Sequence, residues 1–137
     1  MTSTKFKKYL KEYIQPFVRY PVVVEETNSD RELPCIIITV DSEENANNGM
    51  PCHYELEGQV ICAVHSRDDD EQNTTLIEMG EKVLEALADN CSLMESMNQE
   101  TNFKLLGTII NGTTVMQEEA TSFYTIGFEA FTYYSIA

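Results

Sequence analysis

The sequence lacks nearly every spacing from which an active site could be recognised. Its only histidines, His53 and His65, stand twelve residues apart at the two ends of one strand-like stretch. At ~3.3 Å per residue that is about 40 Å along a straight strand, too far to share a site. Cys52-His53 is a metal-like pair, but no second pair at ligand spacing accompanies it, so a zinc site is not expected. Asp68-Asp69-Asp70-Glu71 lacks the alternating ligand positions and turn glycine of a calcium loop. There is no glycine-rich phosphate loop, no nucleophile elbow, and no serine or cysteine with a recognisable base. With 23 acidic residues some carboxylate pair will always be close, so a pair alone signals nothing. No catalytic residue, cofactor or metal is therefore expected, and the protein is read as a non-enzyme.

Other absences narrow the class further. No apolar run approaches the ~20 residues that span a bilayer. The start, from Met1 to Lys8, lacks the uninterrupted apolar stretch of a signal peptide, so the expectation is a soluble, intracellular protein with no membrane partner. The four cysteines, Cys35, Cys52, Cys62 and Cys91, are scattered without a disulfide framework. Cys35 and Cys62 lie in apolar runs, where a thiol behaves as a small hydrophobe. Basic residues are scarce: 9 Lys plus Arg against 23 Asp plus Glu give 9 − 23 = −14. Such a surface repels phosphates, and no basic groove with interleaved aromatics is present to bind nucleic acid directly. The acidity fits a solvated surface, a surface that DNA slides past, or a mimic of DNA charge.

What is present is a clear pattern of elements within a single domain over residues 1–137, with enough apolar content for one core. The organising stretch is Tyr54 to Asn90. From Tyr54 to Val64 every second residue is apolar or Gly, the period of a strand. Glu55, Glu57 and Gln59 occupy the opposite face before Ile61 and Ala63 turn it apolar, so the second half of this strand is expected to be central to a sheet. An acidic loop from Ser66 to Asn73 follows. Leu76, Ile77, Gly80, Val83, Leu84, Leu87 and Ala88 then recur at helical spacing, with Glu78, Glu81, Lys82, Glu85 and Asp89 opposite. Thr75 and Glu78 have the spacing of a capping box, which sets the expected start of this helix. Gly80, on its apolar side, costs about 1 kcal/mol relative to Ala and is read as a close approach to a strand.

Upstream, Phe6, Tyr9, Leu10, Tyr13, Ile14 and Phe17 form the apolar stripe of a first helix ended by Pro16. Five of the nine basic residues fall between Lys5 and Arg19, giving an acidic chain one positive end; the aromatic stripe is read as core rather than membrane anchor. Val22-Val23-Val24 is a short strand, and Cys35 to Val40, apolar on both faces, a central one. Asp41 to Pro51 reads as a long loop between strands. Downstream, Cys91 to Thr101 reads as a connection with one extra helical turn. Asn111-Gly112 reads as a two-residue hairpin turn between Phe103–Ile110 and Thr113–Met116. Ser122 to Tyr134 is a closing aromatic strand. The expected fold is α+β, an α/β sandwich with a mixed, largely antiparallel sheet and two main helices packed on one side.

Taken together, the first amphipathic helix, Leu33-Pro34-Cys35-Ile36-Ile37-Ile38, the strand ending Val60-Ile61-Cys62-Ala63-Val64-His65-Ser66-Arg67, the acidic turn, the helix Leu76 to Leu87 and the aromatic strand Tyr124 to Tyr133 resemble the tail terminator, or tail completion, proteins of long-tailed bacteriophages. The resemblance covers most of the chain and lies in length, element order and hydrophobic pattern. It implies a virion structural protein made in the host cytoplasm that caps the tail tube as a homohexameric ring, ends polymerisation and presents an interface to the neck or head-completion protein. Such a protein can stay monomeric until it meets the tail tube protein, and DNA passes through the ring without specific binding. The acidic balance is compatible with that passage. Candidate ring and tube contacts are Asp41, Glu43, Glu44, Asn47, Asn48 and Met50 in one predicted loop, and Arg67, Asp68, Asp69, Asp70 and Glu71 in the other. Another head-to-tail neck adaptor, or a small acidic DNA-mimic inhibitor, stays open as an alternative.

Overall fold

A computed structural model describes residues 2–24, 33–45, 52–65, 70–118 and 120–135, with the backbone alone described over 70–73. In chain order the elements are α1 (Thr2–Ile14), a 3-10 turn (Gln15–Phe17), β1 (Val22–Val24), β2 (Cys35–Asn45), β3 (His53–His65), α2 (Asp70–Ala88), α3 (Asn90–Met97), β4 (Phe103–Glu118) and β5 (Thr121–Tyr134). The strands form one sheet in the order β1-β2-β3-β5-β4. β1 runs parallel to β2, and every other neighbouring pair is antiparallel. The fold is the expected α+β arrangement, with three helices rather than two.

The period-2 pattern of β3 and β5 decides which face of the sheet the helices cover. Leu56, Val60, Cys62 and Val64 on β3, and Tyr124, Ile126, Phe128 and Ala130 on β5, join one buried core with the apolar faces of all three helices. Phe6 of α1 meets Phe128 at 5.5 Å between ring centroids, and Tyr9 meets Phe103 at 5.6 Å. Burying each such aromatic removes apolar surface worth about 1.5–3 kcal/mol from water. The stripe of α1 is thus core through Ile14, while Phe17, past the helix end in the 3-10 turn, stays 47% exposed. In α2 the buried face is rotated from the expected one: Met79 and Ala86 point inward, Ile77 and Ala88 outward. Both pairs flank the stripe of Leu76, Gly80, Val83 and Leu87, and only the sheet beneath α2 selects between them.

Four expectations about boundaries are corrected. The Asn111-Gly112 turn does not form; β4 is one continuous strand through it, paired with β5 from Phe103↔Tyr134 to Glu118↔Thr121. A turn there would have left half of the long β5 edge without a partner. The chain instead runs straight on and absorbs the irregularity as register shifts between Leu105 and Gly107 and between Ile110 and Gly112. Asp41 to Asn45, read as the start of a loop, are strand, because β2 continues to Asn45 to pair with the start of β3, with a register shift between Val40 and Ser42. Polar composition marked a loop, but a waiting ladder overrides propensity. Thr75 and Glu78 do not cap α2, which starts at Asp70 and makes Asp70 and Glu71 helix rather than loop. The extra turn after α2 is an eight-residue helix, α3, whose N-cap Asp89 accepts from Ser92 N–H at 3.2 Å.

Candidate functional site

All three helices pack on one face of the sheet, and the other face differs between its two ends. At one end it carries a small apolar cluster of Cys35, Ile37 and Ala63, with Val23, Leu33, Ile61 and Phe123 against it. At the other end it is acidic. Glu44 pairs directly with Glu55, and Glu57 directly with Glu129, so four carboxylates occupy adjacent positions of three neighbouring strands. Like charges directly opposite on a sheet repel. Glu55 and Glu57 were legible as a polar face from their alternation, but not as a patch, because the register that brings Glu44 and Glu129 beside them is tertiary.

The described members of the two groups of predicted contact residues do not come together. Asp41, Glu43 and Glu44 are exposed on the far half of β2, beside the start of β3. Asp70 and Glu71 open α2, five residues and more past the other end of β3. Glu43 has a local role, since its Oε1 accepts the backbone N–H of Ser3 at 2.7 Å and holds the start of α1. Asn47, Asn48, Met50, Arg67, Asp68 and Asp69 lie outside the described residues.

The free edge of the sheet is a feature the hairpin reading concealed. β4 is the edge strand, and α3 covers only its first half, where Asn98 Oδ1 accepts the Leu105 N–H at 2.8 Å and the Thr108 hydroxyl bonds Asn90 Oδ1 at 2.6 Å. From Asn111 to Glu118 every residue is exposed on both faces. Ile109, Val115 and Met116 are each more than half exposed. Natural edges are usually blunted by lysine, proline or a covering element. Between Gly112 and Glu118 this one has no lysine or proline.

On the helix side of the sheet, the segment leading into β1 and the middle of α2 enclose a groove of about 470 Å³. Phe17, Val18 and Met79 supply apolar wall, while Arg19, Lys82 and Glu78 supply charge. Arg19 also stacks on Tyr20, at 5.4 Å from guanidinium carbon to ring centroid.

The most perturbed surface ionisation belongs to a clamp between α1 and the turn before β4. Glu100 accepts hydrogen bonds from the Tyr9 hydroxyl and from Lys5 Nζ, the latter at 2.9 Å. These donors, Tyr9 first, hold its carboxyl below the ordinary range. In return the Tyr9 phenol is pushed up to about 12, chiefly by that hydrogen bond and then by burial of its ring. Such coupling ties α1 to the turn before β4. Among the described residues no group of three His, Cys, Asp or Glu side chains is arranged to hold a metal ion. No described helix is long and apolar enough to cross a membrane.

No protein-family model matches the chain, and comparison with curated proteins yields no match.

Proposed function

We propose that this protein is a non-catalytic virion component of a long-tailed phage, which caps the tail tube as a ring, stops its polymerisation and offers a surface to the neck. The observation that carries this reading is a sheet that, among the described residues, is exposed along the 111–118 half of its β4 edge, with Val115 and Met116 exposed where a neighbour would complete it. The element order that resembles the tail terminators supports it. The ring would be made of copies of this chain, seated on the tail tube protein and met by the neck protein. It would assemble in the host cytoplasm and stay in the virion. DNA would pass without specific binding, and the acidic sheet face suits a surface past which a polyanion must slide. Binding of the purified protein to the ends of isolated tail tubes tests the reading. So does imaging of tails assembled without it: tails of uncontrolled length support a terminator, and normal tails lacking heads support a neck adaptor instead.

A second reading has one observation in its favour. A small inhibitor that mimics DNA charge needs carboxylates aligned on one face, and Glu44, Glu55, Glu57 and Glu129 are so aligned. It predicts salt-dependent competition with DNA for a basic protein, which a tail cap does not require.

A further inference from the structure

We propose that copies of this chain join head to tail, with the exposed end of β4 of one copy seated in the groove between the β1 lead-in and α2 of the next. The inference rests on the ring reading above and names its interface.

Three features meet here. First, β4 overhangs the helix layer: its inward neighbour Tyr124 is buried under α2, yet Val115, paired with Tyr124, is 57% exposed, and Met116 on the other side of the strand is 55% exposed. An edge with apolar side chains on both faces and a backbone ladder without a partner is costly to leave in water. Second, the groove is walled by the β1 lead-in on one side and by α2 on the other, with a volume within the ~300–1,000 Å³ typical of ligand sites. Its walls of Phe17 and Met79 suit a valine and a methionine. Third, the charges match. In a chain of net charge −14 the groove carries Arg19 and Lys82 against Glu78, a local sum of +1, while the strand that would enter it ends in Glu118. Complementary charge fixes orientation more than it adds affinity.

The two surfaces are made of different residues. A dimer in which each copy seats the other's strand would use the contact twice; the unreciprocated contact repeats to a closed ring or an open filament, so the oligomer must hold more than two copies. A terminator needs the ring.

The test uses the full chain at high concentration, as an equal mixture of ordinary and nitrogen-15-labelled protein, treated with a carbodiimide that joins carboxylate to amine. The oligomer is read in parallel by native mass spectrometry. The expected result is a closed oligomer and a cross-linked Glu118–Lys82 peptide pair of mixed isotope. Glu118→Lys and Lys82→Glu should each lower the oligomer fraction about tenfold or more by placing like charges together, and the double variant should restore it. Thermal melts of each variant by circular dichroism check that the fold is kept. Closed oligomers without the mixed peptide, or unaffected by either charge reversal, overturn this interface and leave the ring standing. If the wild-type chain forms no closed oligomer, either in solution or on isolated tail tubes, the ring reading fails and this inference with it.

Discussion

Gly80 of α2 lies flat against the ring of Tyr124 on β5: a Cβ built on Gly80 would come within 2.5 Å of the ring carbons. The helix therefore carries glycine in its interior because the sheet below leaves no room for a methyl group. Gly58 on β3 is a parallel case, where a Cβ would meet the Thr39 carbonyl oxygen at 2.2 Å. At both places the absence of a side chain sets how closely two elements approach.

Gly80→Ala follows from this contact. Alanine gains about 1 kcal/mol of helix propensity, but overpacking a tight core costs about 1–3 kcal/mol. The expected net effect is a loss of about 1 kcal/mol in chemical denaturation. Tyr124→Leu should be destabilising alone yet relieve part of the Gly80→Ala loss in a double-mutant cycle. Simple additivity of the two would show that the helix does not rest on that ring.

The clamp at Glu100 gives a pH dependence with a definite sign. Its carboxyl is depressed below its ordinary value of 4.5 in the folded chain. Its contribution is therefore complete above that ordinary value and lost as pH falls through the depressed one. Glu100→Gln should be less stable than the wild type at neutral pH, with the difference shrinking in acid. The Tyr9 phenol, pushed up to about 12, should titrate nearer its ordinary 10 in that variant, as read by phenolate absorbance. An unmoved phenol titration would mean the clamp is not formed in solution.

The acidic sheet face should be under electrostatic tension. Because Glu57 stands directly opposite Glu129, Glu57→Lys should stabilise the fold by about 0.5 kcal/mol at low salt. The gain should fade near 1 M salt as the charges are screened. Urea midpoints at two ionic strengths measure both effects. A destabilised variant would mean that the face is not open.

Thiol accessibility provides an independent check of the layers. Cys35 and Cys62 are buried, and burial pushes the Cys62 thiol up to about 12, whereas Cys91 is exposed. In the native protein a thiol reagent should label Cys91 rapidly and leave Cys35 and Cys62 unmodified until denaturant is added. Peptide mapping after labelling identifies which sites react.

The sequence by itself determined the elements whose pattern is intrinsic to the chain. The two-residue period of Tyr54–Val64 and of the closing strand, and the stripe from Phe6 to Ile14, each appear where their periodicity predicts, because burial of one face is encoded in which positions are apolar. Gly80 likewise announced a close approach. Only the tertiary structure decided everything that depends on a partner strand. Asn111-Gly112 is a strand interior because β5 offers a ladder along the whole of β4, and Asp41–Asn45 is strand because β3 reaches back to meet it. The acidic patch exists only through the register that sets Glu44 beside Glu55 and Glu57 beside Glu129. The exposed edge of β4 and the groove beside α2 follow from strand order and helix placement, which local propensity and periodicity do not specify.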